Sequence, residues 1–413
     1  LAEALIIDAC RTPRGIGKVG KGALAEIHPQ RLGATVLRAL VDRNGFNTGD
    51  VGDVIWGTNA QRGKQGNDLG RMSVLDAGYD TRASGVTLDR FCGSGITAVN
   101  LAASVIMAGT EDLVVAGGTE MMSFTSSSKR PEDGPTVFDS GNLHLRKLHP
   151  QSNQGVCADA IASLEGIPRA DLDALALESQ RRAAIAIEGG HFKKSLVPVY
   201  HDDGTLALGR EEFPRPQTTL EGLAALKPSF EALADTSVDA TGVTFRQLIN
   251  AKYPDLDIKS VHHAGNSSGV VDGSGALLLA SPTYAAAHGL KPRARVVAMA
   301  NWGDCPTLML NGPVPAARKI LAKADLTVDD IDLWEINEAF AVVAEKFIRD
   351  LRLDRDKVNV NGGAMALGHP IGATGTMLIG TLLDELERRD LRRGLVTMCA
   401  AGGMAPAIII ERV

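Results

Sequence analysis

The chain alternates between short apolar runs and stretches whose apolar positions recur at helical spacing. Ala4 to Ala9, with Ile6 and Ile7, is a short apolar run ended by Arg11-Thr12-Pro13-Arg14-Gly15, and predicts a buried strand followed by a turn. From His28 to Asn44 apolar side chains recur at Leu32, Val36, Leu37, Leu40 and Val41, a helical period, and Val51 to Gly57 then reads as a strand. Val86 to Phe91 predicts a further strand and Cys92-Gly93-Ser94-Gly95 a tight turn. Ile96 to Ala108 follows as an Ala-rich helix, and Leu113 to Ala116 returns to the sheet.

The pattern restarts near the C-terminus. Arg295 to Ala300 reads as a strand, Pro315 to Ala324 as a helix and Ile331 to Ile336 as a strand. The unit from Leu32 to Gly57, with its acidic turn Asp50-Val51-Gly52-Asp53, matches Ala316 to Asn337, with Asp329-Asp330-Ile331-Asp332. A glycine-rich turn, a helix and a last strand follow in both, so internal duplication is the economical reading. Between the halves, Ser123 to about Ser260 differs in texture: Ser126-Ser127-Ser128-Lys129-Arg130-Pro131, several histidines and Phe213-Pro214-Arg215-Pro216 surround one helical stretch, Asp171 to Gly189. It reads as an inserted, loop-rich domain, either shaped for ligand contacts or serving as a lid or oligomer arm.

Composition narrows the function classes. At 413 residues and 44% hydrophobic content the chain has the length and apolar content for a sizeable core, in two or three domains or in one large α/β assembly. Net charge is −6 with no block of like charges, so neither nucleic acid nor an acidic membrane surface is an expected partner. The five cysteines (Cys10, Cys92, Cys157, Cys305, Cys399) are odd in number, widely spaced and without a CxxC pair, which suggests no disulfide framework and no metal site. No apolar run approaches the span of a bilayer, the first 30 residues hold no signal-like core and the chain ends Glu411-Arg412-Val413, so a cytoplasmic location is expected.

Four stretches carry candidate chemistry. Cys92, between a predicted strand and a predicted helix, would have its sulfur at a helix N-terminus, where dipole and free N–H groups are expected to lower a thiol pKa. A cysteine in that place is, taken alone, more often a small buried residue than a nucleophile. Cys399 ends the apolar strand Leu395-Val396-Thr397-Met398 and precedes Ala400-Ala401-Gly402-Gly403, a second thiol in a mirrored position. His369, framed by Gly368 and Gly372, suits a base or hydrogen-bond donor. Glu335-Ile336-Asn337-Glu338-Ala339-Phe340 puts an amide and a carboxylate at a strand end, as a site that orients a water or an oxyanion needs.

Together these stretches resemble the thiolase family, whose pattern is a nucleophilic cysteine before a Gly/Ser turn, an Asn-Glu-Ala-Phe stretch, a Gly-His-Pro stretch and a late cysteine followed by glycines. Here they stand as Cys92-Gly93-Ser94-Gly95, Asn337-Glu338-Ala339-Phe340, Gly368-His369-Pro370 and Cys399 before Gly402-Gly403. Cys10-Arg11-Thr12-Pro13, Gly117-Gly118-Thr119-Glu120-Met121, Gly265-Asn266-Ser267-Ser268-Gly269 and Asn361-Gly362-Gly363 match as well, in family order over nearly the whole chain.

The resemblance implies an α/β thiolase fold: two duplicated βαβαβαββ halves in a five-layer α-β-α-β-α arrangement with an inserted coenzyme-A-binding loop domain. The expected division is 1–122 for the N-terminal half, completed by about 271–291, then 123–270 for the loop domain and 292–413 for the C-terminal half. Coenzyme A is implied as co-substrate, with acyl-CoA the other ligand and no permanently bound cofactor. A homo-oligomer, dimer or tetramer, is implied, and a β-oxidation partner enzyme is left open. Residue by residue, Cys92 activated by His369 would attack a 3-ketoacyl-CoA and Cys399 would move the α-proton in a ping-pong reaction. His369 and a water held by Asn337 would form one oxyanion hole, and the backbone N–H groups of Cys92 and Ala401 the other. Ser268, Arg215 and Phe340 are the candidate substrate and coenzyme A contacts, an arginine being suited to phosphate. Glu338 either orients the water or satisfies buried backbone.

The chain departs from the family at three places: Ala401 where glycine is frequent, Asn153-Gln154-Gly155 where short-chain members tend to carry His-Met-Gly, and His263 before Ala264-Gly265-Asn266 where threonine is usual. The second departure weakens a reading restricted to acetoacetyl-CoA. The leading reading is a degradative 3-ketoacyl-CoA thiolase; a biosynthetic acetyl-CoA acetyltransferase and a non-catalytic thiolase-like subunit are the alternatives. Cys10, Cys157 and Cys305 are expected to be bystanders, and His144, His149 and His191 solvated loop residues.

Overall fold

The computed structural model describes residues 3–128 and 137–413. Of the polar stretch Ser126 to Pro131, Lys129, Arg130 and Pro131 lie outside the described residues. In chain order the elements that build the scaffold begin with β1 (Leu5–Arg11), α1 (Pro29–Asn44), β2 (Asp53–Gly57), α2 (Leu69–Asp76), β3 (Val86–Leu88), α3 (Ser94–Met107) and β4 (Leu113–Met121). Two helices of the inserted segment follow, α4 (Gln154–Glu165) and α5 (Arg169–Glu188), and then β5 (Val271–Ala280). The last part holds β6 (Ala294–Gly303), α6 (Pro313–Ala324), β7 (Leu333–Ile336), α7 (Ala341–Leu351), α8 (Ile371–Arg388), β8 (Arg393–Thr397) and β9 (Met404–Arg412).

Local sequence explains the boundaries. Helix α1 starts where Pro29 supplies a preset φ and the His28 ring accepts from Gln30 N–H, and it stops at Gly45, whose φ of 63° is left-handed. Its buried residues include Leu32, Val36, Leu37 and Leu40, the stripe read from the sequence. Strand β3 is shorter than the apolar run to Phe91 suggested. Phe91 itself sits at φ 51°, so the chain turns sharply just before Cys92.

Strand pairing repeats. In the first half β3 pairs β2 and β2 pairs β4 in parallel, while β4 pairs β5 and β5 pairs β1 antiparallel. In the second, Val358 bridges Trp334 of β7 in parallel and β7 pairs β8 in parallel, while β8 pairs β9 and β9 pairs β6 antiparallel. The same order of partners and directions occurs twice, as duplication predicts. A two-residue contact, Leu5 opposite Arg295 and Ile6 opposite Ala294, joins the halves edge to edge.

Side chains then stack five layers. Ile96, Val99 and Ile106 of α3 pack with Leu378, Leu382 and Leu386 of α8, between Ile55, Leu277 and Leu279 of one half-sheet and Leu333, Val396 and Ile408 of the other. Helix α1 covers the outer face of the first half-sheet with Val36, Leu37 and Leu40 against Val54, Trp56 and Leu278, and Val74 of α2 joins the same core. On the far side α6 and α7 cover the second half-sheet, with Ile320, Phe347 and Ile348 against Trp334, Leu395 and Ile409. Ile161 of α4, Leu172 of α5 and Phe245 belong to that same core, so the inserted segment rests on the second half. The N-terminal ends of α3 and α8 cross backbone against backbone at Gly95 and Gly375.

Candidate active site

Four separate segments deliver the candidate residues to the same end of the two half-sheets. Cys92 precedes α3, with Gly93 at the helix N-cap, and is 7% exposed. Asn337 follows β7 and Cys399 follows β8, two parallel neighbours, and the Asn337 N–H donates to Thr397 O at 3.3 Å. His369 lies two residues before α8, and its backbone N–H donates to Gly269 O at 2.9 Å. Gly368 before it has a φ of 94°, and a Cβ there would sit 2.4 Å from Val271 Cγ1, so the turn admits only glycine.

The hydrogen bonds assign the imidazole tautomer. Thr374 Oγ1 donates to Pro370 O at 3.1 Å, which leaves its lone pairs to accept from His369 Nδ1–H at 2.6 Å. The proton therefore sits on Nδ1, and Nε2 presents a lone pair toward Asn337 Nδ2, 3.4 Å away. Asn337 Oδ1 is buried and has no hydrogen-bond partner among the described residues.

Burial sets the charge states. It pushes the His369 imidazole down to about 3, with the Arg14 guanidinium acting in the same direction. Burial likewise pushes the Cys92 thiol up to about 12, aided by the Glu120 carboxylate and opposed by its own backbone N–H and the Gln154 side chain. The Cys399 thiol is raised by burial and then by Cys92. The helix-terminal lowering expected for Cys92 is thus overturned: one backbone N–H does not offset removal from water beside a carboxylate. The resting site holds two neutral thiols and a neutral imidazole.

Glu120 and Thr374, to which the sequence assigned no role, hold this geometry together with Glu338. Glu120, buried at the end of β4, accepts from Asn59 N–H, Ala60 N–H, Gln65 Nε2 and Gly372 N–H, and so ties the first turn of α8 to the first half. Glu338 Oε2 accepts from Ser179 Oγ at 2.7 Å and Met365 N–H at 3.1 Å, while its Oε1 accepts from Asn359 Nδ2 at 3.1 Å. Of the two readings of Glu338, satisfying buried backbone matches one contact, Met365 N–H, and the other two donors are side chains, Ser179 and Asn359. Thr374 had no signal beyond its place in a glycine-framed helix start.

The remaining candidates are spread around this centre. A cleft of about 220 Å³ is lined by Phe213, Arg215, Thr218, Leu223, Gly265 and Met365. Arg215 is exposed there, 5.5 Å over the Phe213 ring, and makes no ion pair among the described residues. Ser268 is half-buried outside that lining, its N–H donating to Ala339 O. Phe340 also lies outside it, buried edge-on against Phe230 and His262 with ring centroids 5.8 and 5.7 Å away. Ala401, 1% exposed, opens the turn in which Gly402 has a φ of 74°.

His263 is buried, its Nε2 2.8 Å from Asp173 Oδ1, which also accepts from Asn266 Nδ2; it fastens the Ala264-Gly265-Asn266 loop to α5. His191 is not simply solvated, since its Nδ1 lies 2.9 Å from Asn361 Oδ1. A larger cleft of about 520 Å³ lies between α5 and α7. There Arg182, Arg349 and Arg355 pair with Glu178 and Glu345, and none of the four central candidates lines it. Among the described residues no helix is long and apolar enough to cross a membrane, and no group of three or more His, Cys, Asp or Glu could hold a metal ion.

Comparison with known proteins agrees with this architecture. Residues 4–244 match the thiolase N-terminal domain and residues 290–412 the thiolase C-terminal domain. The chain is 40% identical over 420 residues to an acetyl-CoA acetyltransferase of Chromobacterium violaceum, covering 99% of this chain and 100% of that protein. It is 39% identical over 427 residues to a beta-ketoadipyl-CoA thiolase of Pseudomonas aeruginosa, covering 100% and 99%. The crystal structure of the Bacillus anthracis acetyl-CoA acetyltransferase superposes with a TM-score of 0.84 at 34% identity, over 100% of this chain and 99% of that one. The duplicated five-layer fold, the two full-length sequence matches and the two domain matches make the chain a member of the thiolase family, an acyltransferase.

Proposed function

We propose that the chain is a degradative 3-ketoacyl-CoA thiolase in which Cys92, His369, Asn337 and Cys399 carry the reaction. The observation that supports it best is the hydrogen-bond chain Thr374–His369–Asn337, which leaves Nε2 of a neutral imidazole as the free base in a site with two neutral thiols. In this reading Cys92 Sγ attacks the 3-keto carbon as its proton passes to His369 Nε2. The C2–C3 bond breaks, and its electron pair becomes the enolate of acetyl-CoA. The enolate oxygen accepts from His369 Nε2–H and from a water held by Asn337 Oδ1, which is otherwise unpartnered. Cys399 donates its proton to C2 and becomes a thiolate. Coenzyme A then attacks the acyl group on Cys92, its thiol proton passing to Cys399. The Cys92 sulfur leaves and recovers its proton from His369. The N–H groups of Cys92 and Ala401 face the tetrahedral oxyanion in both half-reactions.

Arg215, unpaired at the edge of the apolar-walled cleft, suits a coenzyme A phosphate, and Ser268 and Phe340 are read as further contacts of that ligand. Residues 123–270 form the coenzyme A domain in this reading, with 1–122 and 271–291 as one half and 292–413 as the other. A homo-oligomer is part of it as well, since edge strand β3 and α3 expose Val86 and Leu101. Thiolysis of a panel of 3-ketoacyl-CoAs by wild type and Cys92→Ser tests the reading. Cleavage beyond acetoacetyl-CoA that the variant lacks supports it. Acetoacetyl-CoA as sole substrate favours a biosynthetic acetyltransferase, and turnover that survives in Cys92→Ser removes Cys92 from its role.

A further inference from the structure

The walls of the cleft at Arg215 are held from one face of α5. Arg169 opens that helix, where a cation opposes the helix dipole, and its guanidinium turns away to the end of the short helix Leu220–Ala224. Its Nη2 donates to Leu223 O at 2.8 Å and Leu226 O at 2.6 Å, with Ala224 O at 3.2 Å, and so caps the wall that bears the Leu223 and Leu226 side chains. Its Nε pairs with Asp173 Oδ2 at 3.3 Å, one turn along α5. The other Asp173 oxygen holds the opposite wall, Ala264-Gly265: Oδ1 accepts from Asn266 Nδ2 at 2.9 Å and from His263 Nε2 at 2.8 Å. His263 Nδ1 accepts from Gly265 N–H at 3.1 Å, which puts the ring proton on Nε2. Two turns further along α5, Gln180 accepts from Arg215 N–H at 2.8 Å and donates to Met365 O at 3.3 Å. The two walls meet at Gly265, where a Cβ would lie 2.5 Å from Leu223 Cδ2 and 2.9 Å from Leu226 Cδ1.

We propose that Arg169 and Asp173 are positioning residues for coenzyme A: their ion pair fixes the separation of the two cleft walls, and so the fit of the coenzyme's nucleotide end, without touching it. The inference rests on the reading of this cleft as the coenzyme A site. Neither residue lines the cleft. The walls themselves, a five-residue helix and a glycine-containing turn, are too short to hold a spacing on their own. Tied to the long helix α5, they stand at one width before a ligand enters, and a cleft ordered in advance loses less freedom on binding. Arginine suits the task because its planar fork reaches an ion-pair partner and several carbonyls at once, whereas a lysine ammonium is a point charge. The Arg169 side chain is 26% exposed, and without it Asp173 keeps His263 and Asn266 as partners, so its replacement leaves no buried group stranded.

The test compares two acceptor thiols, coenzyme A and N-acetylcysteamine, with 3-oxohexanoyl-CoA as the acyl donor at saturation. N-acetylcysteamine reproduces the reacting end of coenzyme A and stops short of the nucleotide, so it does not enter the cleft. In a ping-pong reaction kcat/KM for the acceptor reports its own half-reaction. Arg169→Gln is expected to lower that constant for coenzyme A by about tenfold, through KM, and to leave it within about twofold for N-acetylcysteamine. Asp173→Asn should act in the same direction. Arg169→Lys, which keeps the charge but not the fork, should recover part of the loss, and it carries the comparison if Arg169→Gln does not fold. A pair that only stabilises the fold would lower the melting temperature and depress both thiols equally. That result, or a coenzyme A constant unchanged in the folded variants, overturns the inference and leaves the thiolase reading intact. Wild type that uses the two thiols equally well removes coenzyme A from this cleft and the inference with it. Wild type that transfers to neither thiol overturns the thiolase reading itself.

Discussion

Gly95 of α3 and Gly375 of α8 meet with no side chain between them: a Cβ on Gly375 would lie 2.2 Å from Ile96 N, and one on Gly95 would lie 2.8 Å from Thr376 N. The two helices belong to different halves of the chain, and each begins just after a proposed catalytic residue. The crossing therefore sets the spacing between the Cys92 turn and the His369 turn. Gly372 adds to it, since a Cβ there would stand 2.4 Å from Thr58 Cα.

Gly375→Ala should act as a wedge in this crossing. Its methyl meets the backbone of Gly95 and Ile96, which cannot rotate away as a flexible side chain could. Overpacking of this kind costs about 1–3 kcal/mol. Displacement of the reacting groups by about 1 Å can cost on the order of 10² in rate. We expect a melting temperature lower by several degrees together with a fall in kcat of at least tenfold, measured by calorimetry and steady-state thiolysis. A variant as stable and active as wild type would show that the helices can part without consequence.

Thr374 acts on the reaction through His369. Thr374→Val keeps the shape but removes the acceptor of Nδ1–H, so the proton is free to move to Nε2 and the base is lost. Misplaced general-base catalysis costs about 10²–10⁴ in rate. The expected result is a kcat lower by about 10², with KM for the acyl-CoA near wild type and recovery in Thr374→Ser. A purely structural role would instead lower the melting temperature, and serine would not restore kcat.

The charge states predict a flat pH profile. With His369 pushed down to about 3 and Cys92 up to about 12, neither titrates in the neutral range. His369 is neutral above its folded pKa, so the free base is lost only as pH falls well below the ordinary imidazole range. The Cys92 thiol gains thiolate only far above it. In a ping-pong reaction kcat/KM for the 3-ketoacyl-CoA reports the first half-reaction, free of coenzyme A ionisation. That constant should be level from about pH 5 to 9, and an acid limb near pH 6.5 would mean an imidazole exposed to water.

Much of this could be read from local sequence, and what could not has a common cause. Cys92, Cys399, His369 and Asn337 each stand on a turn after a strand or before a helix, so periodicity and glycine spacing locate them. The duplicated strand order was visible in the repeated acidic turn and apolar strand. The direction of the Cys92 shift was not, because burial and the charge of Glu120 come from segments far along the chain. His263 and Asp173 are ninety residues apart, and only the folded chain reveals that pair. Phe340 stands beside Ala339 in its motif, yet its ring turns into the core against Phe230, a choice made by packing.

Arg215 should matter for coenzyme A and little for chemistry. Its guanidinium is exposed and unpaired among the described residues, so removing it leaves no buried charge behind. A charged hydrogen bond to phosphate is worth about 1.5–3 kcal/mol. Arg215→Ala is expected to raise KM for coenzyme A by about tenfold or more, with kcat at saturation within a factor of about two. The KM of wild type should also rise with salt, and that of the variant less so. A fall in kcat with KM unchanged would place Arg215 in the chemistry instead.

Asn337 and Glu338 are adjacent but should fail in different ways. Asn337 offers its amide to His369 and an unpartnered Oδ1 to the site, while nothing in the fold depends on its side chain. Glu338 faces the other way and holds Ser179, Asn359 and Met365 N–H, and a Cβ on Gly363 would lie 2.3 Å from its carboxyl carbon. Asn337→Ala removes one oxyanion partner, and kcat should fall by about 10²–10³ with the melting temperature unchanged. Glu338→Ala strands three donors in the interior, each costing about 1–3 kcal/mol, so the melting temperature should drop steeply and activity should fall with the folded fraction. Glu338→Gln retains acceptor capacity on one oxygen and should lie between. If Asn337→Ala instead unfolds the protein, the Asn337 amide is a structural tie; if Glu338→Ala is stable but inactive, its carboxylate takes part in the reaction.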